Sequence, residues 1–279
     1  MNFPHSTAAA LVQQAMEEDI KTGDLSSQLT LTKSANSQAH IVAKGQGVFA
    51  GAPILALILQ HDPKVKAELL VQDGTPLKGG DVVCTFSGPA ISLLEIERTL
   101  LNFWQHLSGV ASATAKFVER CVPPCQILDT RKTLPGWREL QKYAVRCGGG
   151  VNHRMGLYDM IMLKENHLLA AGGIAQAIPQ VLGNKPSSVE VEVEVETLEQ
   201  LEIALKFPIL RVLLDNMPNE TLLKAVAMKN KMAPEIQLEA SGNMTLDRIA
   251  GVSKTGVDFI SVGALTHSVQ ALDLSMRFL

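Results

Sequence analysis

The chain has 279 residues, of which 46% are hydrophobic and 19% charged, the composition of a globular protein with a substantial core. This composition excludes an intrinsically disordered chain, and the net charge of −3 excludes a general positive field for nucleic acid or an anionic membrane. Any binding of anions must therefore depend on local groups of Lys and Arg.

Four cysteines are too few for a disulfide scaffold and suit a reducing cytoplasm. Residues 1–19 carry no basic segment ahead of an apolar run, so we expect no secretory signal peptide. The longest apolar stretch, residues 47–59, contains Pro53 and is shorter than the ~20 residues of a transmembrane helix. The sequence predicts a cytoplasmic protein without membrane or nucleic-acid partners.

The first third of the chain has the pattern of a small α+β module. Apolar residues on one face predict a helix at residues 7–18, and a second helix is expected at residues 53–60. Short strands bounded by turn residues are expected at residues 38–44, 67–72 and 81–87. A long helix is then expected at residues 91–120, with Gly109 as a candidate break.

After Pro123-Pro124 the pattern changes to short apolar strands alternating with helices. Strands are expected at residues 126–129, 160–164, 189–195, 211–215, 236–240 and 259–262. Helices are expected at residues 173–182, 197–206, 219–231 and 245–250. This alternation predicts a parallel sheet covered by helices.

Polar residues follow most of these strands directly. They are Asp129-Thr130-Arg131-Lys132, Lys164-Glu165-Asn166-His167, Glu194, Asp215-Asn216, Ser241-Gly242-Asn243 and Gly263. In a parallel α/β barrel the carboxyl ends of the strands meet at one mouth, where active sites lie. The pattern therefore predicts an enzyme.

Four of the candidate residues are cations, namely Arg131, Lys132, Arg154 and Lys164. Lys and Arg taken singly are usually solvated surface residues. Several of them near strand ends, in a chain of net charge −3, predict a pocket for a ligand with several negative charges. Among the seven histidines only His153 has such neighbours, and the roles of His167 and His267 stay open.

Residues 189–196 alternate Val with Glu. On an exposed edge strand the Glu side chains would face water, but a strand between helices is covered on both faces, so its carboxylates need cations or water. Glu194 and Asp215, at the ends of successive strands, are suited to share Mg²⁺ with a substrate phosphate. We expect Glu192 to be an ion-pair partner in the barrel interior, and the role of Glu196 stays open.

Two late segments contain small residues that let backbone N–H groups approach a phosphate. They are Ser241-Gly242-Asn243 and Val262-Gly263-Ala264, for which an ordinary turn is the alternative. The run Gly148-Gly149-Gly150 is expected to be a flexible loop that positions residues 152–154.

The polar segments, in chain order, resemble those of the quinolinate phosphoribosyltransferase family. The resemblance rests on residues 97–103 (Glu-Arg-Thr-Leu-Leu-Asn-Phe), 129–133 (Asp-Thr-Arg-Lys-Thr), 135–136 (Pro-Gly), 148–154 (Gly-Gly-Gly-Val-Asn-His-Arg), 164–167, 191–194, 213–216, 240–243 and 261–264. It covers essentially the whole chain. It implies an incomplete parallel α/β barrel with an N-terminal α+β open sandwich, which we place at residues 109–279 and 1–108, the last residues packing on the N-terminal domain.

The resemblance also implies a reaction. Quinolinate and phosphoribosyl pyrophosphate would give nicotinate mononucleotide, pyrophosphate and CO2, with Mg²⁺ as cofactor, in de novo NAD biosynthesis. The family pattern implies a homodimer in which Arg98 reaches the partner's site, and it leaves a higher oligomer open. The residues implied to bind substrate are Arg98, Thr130, Arg131, Lys132, His153, Arg154, Lys164, Glu194, Asp215, Ser241, Gly242, Asn243, Val262, Gly263 and Ala264. Glu194 and Asp215 would hold the metal, and together with Lys132 they are the expected catalytic residues.

Three alternatives stay open at this point. A barrel lyase or aldolase could use Lys164 as a Schiff-base amine. A related transferase could act on nicotinate or another acceptor. Residues 74–81 (Gly-Thr-Pro-Leu-Lys-Gly-Gly-Asp) resemble the turn of a lipoyl-type carrier module, although no lysine there is placed convincingly for lipoylation.

Overall fold

The structure is a computed structural model that describes residues 2–279, and these residues form two compact units. The first unit comprises the residues up to Ala115, Thr133–Gly149 and Leu265–Leu279, and the second comprises Lys116–Lys132 and Gly150–Ala264. The expected domain boundary after residue 108 stays a prediction.

The helices in chain order are α1 (His5–Ile20), α2 (Leu25–Thr30), α3 (Ile54–Ile58), α4 (Ala90–Arg120), α5 (Arg138–Cys147), α6 (Glu165–Ala170), α7 (Ile174–Asn184), α8 (Leu198–Ala204), α9 (Asn219–Met232), α10 (Leu246–Ser253) and α11 (Ala264–His267). The strands are β1 (Asn36–Ala43), β2 (Gly47–Val48), β3 (Lys66–Leu69), β4 (Pro76–Leu77), β5 (Val82–Pro89), β6 (Gln126–Leu128), β7 (Ile161–Leu163), β8 (Val191–Val195), β9 (Arg211–Asp215), β10 (Gln237–Ser241), β11 (Phe259–Ser261) and β12 (Leu274–Phe278).

The first unit contains an antiparallel sheet in the order β12-β1-β5-β3. In its register Ile41 lies opposite Met276 on one side and Cys84 on the other, so the end of the chain is paired with an early strand. The core of this unit includes the fully buried Trp104, whose indole N–H donates to the carbonyl of Gly51 at 2.8 Å. Burial of a large ring with its polar group satisfied ties α4 to the segment before α3.

Helix α4 runs unbroken from Ala90 to Arg120, so the expectation that Gly109 divides it is wrong. The structure gives this glycine a packing role instead. A Cβ at position 109 would overlap the backbone oxygen of Gln270, and only glycine permits such a close approach.

Helix α5 was not predicted, although Leu140, Tyr143 and Ala144 have the spacing of an apolar helix face and are buried. The polar Gln141 and Lys142, which lie between them in the sequence, are buried as well. The Gln141 side chain accepts from the N–H of Leu134 at 2.9 Å and donates to the carbonyl of Thr266 at 3.0 Å. The helix ends at the glycine run that we expected to be a flexible loop, and a Cβ on Gly148 would overlap the backbone oxygen of Ala111.

The second unit is built on a parallel six-stranded sheet in the order β6-β11-β10-β9-β8-β7. Its strands are short and apolar because helices cover them, and Val193, Val212 and Ile260 are buried. Strand β6, the first of these six strands in the chain, pairs with β11, the last, so the sheet returns to its first strand. Leu128 of β6 also makes an isolated parallel bridge with Val151. The expected fold class, an incomplete parallel barrel with an N-terminal sandwich, is confirmed.

Within residues 2–279, no helix combines the length and the apolar character that crossing a membrane requires.

Candidate active site

The candidate residues of the second unit lie at the carboxyl edge of its parallel sheet. Glu194 lies in β8, Asp215 and Ser241 end β9 and β10, and the parallel register places these last two side by side. Lys164 directly follows β7, and Val262 follows β11. The sheet topology therefore brings to one edge residues that are more than 90 positions apart in the chain.

Lys164 and Glu194 form an ion pair across adjacent strands. The Lys164 Nζ atom lies 2.9 Å from Glu194 Oε2, and the lysine side chain is about half exposed. The backbone N–H of Lys164 also donates to Nδ1 of His167 at 3.1 Å, which holds the start of α6. His167 therefore has a helix-capping role in this structure.

Arg154 and Arg131 interact electrostatically. Burial lowers the pKa of Arg154, and the positive charge of Arg131 lowers it further. The Arg154 guanidinium is anchored by a 3.0 Å hydrogen bond from Nη1 to the carbonyl of Met160. Two neighbouring guanidinium groups repel each other, and an anion between or beside them relieves that repulsion.

The segment that carries Arg154 is fixed by the buried carboxylate of Asp129, which directly follows β6. Its Oδ1 accepts from the backbone N–H of His153 at 2.9 Å, and its Oδ2 accepts from the side-chain amide of Asn152 at 2.6 Å. Asp129 is thus a scaffold residue rather than an exposed ligand of the mouth.

His153 turns its ring toward charged residues inside the barrel. Its Nε2 lies 3.0 Å from Glu192 Oε2 and 3.4 Å from Glu239 Oε2, and both glutamates are fully buried. Burial lowers the pKa of His153, but the two carboxylates outweigh burial and raise that pKa above its ordinary value. The expectation that Glu192 is an interior ion-pair partner is confirmed.

Arg211 completes this buried group. Its Nη1 lies 3.0 Å from Glu239 Oε2, and its guanidinium carbon lies 4.1 Å above the ring of Phe259. His153, Glu192 and Glu239 have the atom types and spacing of a metal site. However, a dication there would lie against the guanidinium that already contacts Glu239, so an ion network explains the group better.

Glu239 and Arg211 were not among the predicted site residues. Both lie in predicted strands, at residues 236–240 and 211–215, but no pattern in the sequence assigned them a role. The signal that could have revealed them is their register: Arg211 lies beside Glu192 on the neighbouring strand, and charged residues facing a covered sheet must pair.

The loop after β10 has the backbone shape expected of an anion site. Gly242 and Asn243 both have positive φ angles, of 93° and 48°. A Cβ on Gly242 would overlap the side chain of Asn216, which lies in the neighbouring loop. Successive residues in such conformations can direct N–H groups toward one point. After β11, by contrast, the N–H of Val262 donates to the carbonyl of Leu128 at 2.9 Å and is not available to a phosphate.

The remaining candidates are placed as follows. Thr130 accepts the N–H of the exposed Lys132 at 3.0 Å, forming a turn after β6. Arg98 lies exposed on α4 in the first unit. The exposed His267 has Nδ1 2.7 Å from the hydroxyl of Ser268.

Comparison with known proteins identifies the family. The model of the quinolinate phosphoribosyl transferase N-terminal domain matches residues 24–108, and the model of the C-terminal domain matches residues 110–277. The chain belongs to the quinolinate phosphoribosyltransferase family. Residues 74–81, which resemble a carrier-module turn, lie within the matched N-terminal domain.

Relatives of this family match along nearly their whole length. The probable nicotinate-nucleotide pyrophosphorylase (carboxylating) of Bacillus subtilis is 44% identical, over 98% of this chain and 93% of the relative. The chloroplastic nicotinate-nucleotide pyrophosphorylase (carboxylating) of Arabidopsis thaliana is 41% identical, over 99% of this chain and 84% of the relative.

Solved structures agree with the sequence relatives. The nicotinate-nucleotide pyrophosphorylase of Francisella tularensis superimposes with a TM-score of 0.93 at 37% identity, over 100% of this chain and 98% of that one. Human nicotinic acid phosphoribosyltransferase, with a TM-score of 0.60 at 13% identity, shares the fold alone.

Proposed function

We propose that this chain transfers the phosphoribosyl group of phosphoribosyl pyrophosphate to quinolinate and releases CO2, giving nicotinate mononucleotide and pyrophosphate for NAD biosynthesis. The observation that carries the proposal is the group of cations in the unit that matches this family: Lys164 directly follows β7, and Arg131 and Arg154 interact electrostatically. Several cations together suit a ligand with more than one carboxylate.

Three cations bind the diacid in this proposal. Arg131 and Arg154 interact electrostatically, and Lys164 directly follows β7. Quinolinate carries two adjacent carboxylates, and guanidinium groups recognise carboxylates through paired hydrogen bonds. The cations also orient the ring nitrogen toward the ribose, so that much of the catalytic effect is positioning. His153 belongs to the same cluster and is held by its contacts with Glu192 and Glu239.

Glu194 and Asp215 supply negative charge at the same mouth, where Glu194 lies 2.9 Å from Lys164. As pyrophosphate leaves, positive charge develops on the ribose ring, and fixed carboxylates nearby lower the energy of that state. Two carboxylates without sulfur or imidazole neighbours are also a donor set that fits Mg²⁺, which commonly binds through one or two carboxylates and substrate phosphates. When bound, Mg²⁺ would stabilise the negative charge of the departing pyrophosphate.

The phosphate groups occupy the remaining edge of the mouth. The loop Ser241–Asn243 offers backbone N–H groups to the 5′-phosphate, and Gly263 and Ala264 lie at the next strand end, with Val262 packing beneath them. Thr130 and Lys132 lie in the turn after β6, where the lysine is exposed and can contact pyrophosphate.

Loss of CO2 requires no nucleophile from the protein. Once the ring nitrogen is bonded to the ribose, the bond to the carboxylate next to it breaks, CO2 leaves, and the electron pair stays on that ring carbon beside the positively charged nitrogen. A proton from water then takes the place of the carboxylate, so the protein has only to hold the ring.

A homodimer is part of the proposal, with Arg98 of the partner subunit reaching the diacid. Arg98 is exposed, and so are large apolar side chains of both units, including Leu29, Tyr158 and Leu169. Large exposed apolar residues are typical of protein interfaces. A reducing cytoplasm fits the four free cysteines, and the net charge of −3 fits a protein without nucleic-acid or membrane partners.

The proposal is tested by incubating the protein with phosphoribosyl pyrophosphate, Mg²⁺ and either quinolinate or nicotinate, and measuring nucleotide formation. We expect the protein to convert quinolinate but not nicotinate, to lose activity when a chelator is added, and to recover it when Mg²⁺ is returned. Glu194→Gln should lower kcat strongly, whereas Glu196→Gln, at an exposed position two residues later, should not. Turnover of nicotinate alone would overturn the choice of substrate.

A further inference from the structure

A buried network of four charged or polar residues lies beneath the mouth. It consists of His153, Glu192, Arg211 and Glu239, each at least nine-tenths buried. Side chains on a strand alternate between faces, so Glu192 lies one step below Glu194, and Glu239 lies one step below Ser241. Glu192 and Glu239 are therefore adjacent to the site, but both are fully buried and are not part of the surface that substrates contact.

This position is ordinarily occupied by branched apolar residues, which fill the interior of parallel barrels. Removing charges from water is costly, and replacing a buried ion group with apolar residues is often neutral or stabilising. Stability alone therefore does not explain why two carboxylates and a guanidinium lie here. A requirement of the site above them would explain it.

The contacts of His153 connect the network to the mouth. On one side its Nε2 faces the two buried carboxylates, at 3.0 and 3.4 Å. On the other side its Nδ1 accepts the backbone N–H of Arg154 at 2.7 Å. Arg154 is one of the proposed diacid-binding cations, so the His153 ring lies between the buried carboxylates and the backbone of that residue.

We propose that Glu192 and Glu239 are positioning residues for the diacid: they hold the His153 ring, which in turn holds Arg154 in place. Arg211 fixes Glu239 from below, through the 3.0 Å contact between Nη1 and Oε2. This inference rests on the proposed function, because it assigns the network to the binding of quinolinate rather than of phosphoribosyl pyrophosphate.

The first test compares Glu192→Gln with Glu190→Gln, an exposed glutamate just before the same strand. Glu192→Gln keeps the shape of the side chain and removes its charge. We expect KM for quinolinate to rise about tenfold or more, because small displacements of a binding group have large kinetic effects. KM for phosphoribosyl pyrophosphate should change less than about twofold. Glu190→Gln should resemble the unmodified enzyme.

The second test asks whether Glu192 acts through His153. We expect His153→Gln to raise KM for quinolinate, and Glu192→Gln to add little further effect in the His153→Gln background. A merely structural contribution would instead add to the effect of His153→Gln, as independent sites do. The coupling therefore separates a positioning role from general destabilisation.

Several results would overturn the inference. An unchanged KM for quinolinate in Glu192→Gln, equal increases in both KM values, or additive effects in the double variant would each do so. If Glu192→Gln does not fold, Glu239→Gln takes its place, with the exposed Glu235→Gln as its control. Failure of both to fold would assign the carboxylates to the fold itself and would also overturn the proposal. If the unmodified protein does not convert quinolinate, the proposed function fails first, so the two failures are distinguishable.

Discussion

Replacing Lys164 with glutamine separates its proposed role in substrate binding from its structural role. The side chain is 48% exposed, and its partner Glu194 is 16% exposed, at a distance of 2.9 Å. An ion pair this accessible contributes at most about 1 kcal/mol to the free energy of unfolding. For a chain of this size the melting temperature should therefore fall by less than about 4 °C.

The effect on substrate binding should be larger. A hydrogen bond between an ammonium group and a substrate carboxylate contributes about 1.5–3 kcal/mol, or roughly 10–150-fold in affinity. Lys164 gives up its contact with Glu194 to make this bond. We therefore expect an effect at the lower end of that range, about a tenfold rise in KM for quinolinate.

Steady-state kinetics and thermal unfolding measure the two effects on the same variant. Lys206→Gln is a matched control, because Lys206 lies in a 3.8 Å pair with Glu202 on an exposed surface. An unchanged KM for quinolinate in Lys164→Gln would refute the reasoning, and so would a fall in melting temperature above about 10 °C.

Three further predictions concern stability. Arg211→Leu should destabilise the fold by about 3–5 kcal/mol in urea unfolding, because it removes the nearer of the two cationic partners of the buried Glu239 carboxylate; a loss below 1 kcal/mol would contradict this. Trp104→Ala should cost about 3–5 kcal/mol, since the ring is fully buried, and a smaller loss would mean that the cavity collapses. Burial lowers the pKa of His106, which lies 2.9 Å from Gln141, so its contribution to stability is present above pH 6.5 and is lost as the pH falls through the lowered pKa. His106→Gln should therefore lose less stability between pH 7 and pH 5 than the unmodified protein; an equal loss would contradict the assignment.

The sheet of the second unit was predictable because short covered strands leave a clear signal. Val191–Val195 and Arg211–Asp215 lie within the expected ranges, and the polar residues after them mark the mouth. The alternation of Val and Glu before residue 196 also predicted correctly that these carboxylates need partners. Glu192 pairs with His153, and Glu194 pairs with Lys164.

The elements that escaped prediction depend on distant contacts. Helix α5 buries the polar Gln141 and Lys142 beside its apolar residues, and the Gln141 partner Thr266 lies 125 positions later in the chain. Strand β12 was missed because its pairing partner, β1, lies more than 230 residues earlier in the chain. Gly109 looks like a helix break until Gln270 is seen against it.

The residues of the candidate site also divide into those that the sequence predicted and those that depend on distant contacts. Residues at strand ends were predicted from position, because the topology of a parallel sheet determines where they meet. Glu239 and Arg211 were not, because a charged residue inside an apolar strand has a meaning only when its partner on another strand is identified.

We propose that a diacid is joined to a phosphoribosyl group and loses one carboxylate in the same site. The most direct test supplies quinolinate labelled at the carboxyl carbon next to the ring nitrogen, with phosphoribosyl pyrophosphate and Mg²⁺, and measures labelled CO2 against nicotinate mononucleotide. We expect one CO2 for each nucleotide throughout the time course. Nucleotide formed without CO2, or CO2 released without phosphoribosyl pyrophosphate, would contradict it.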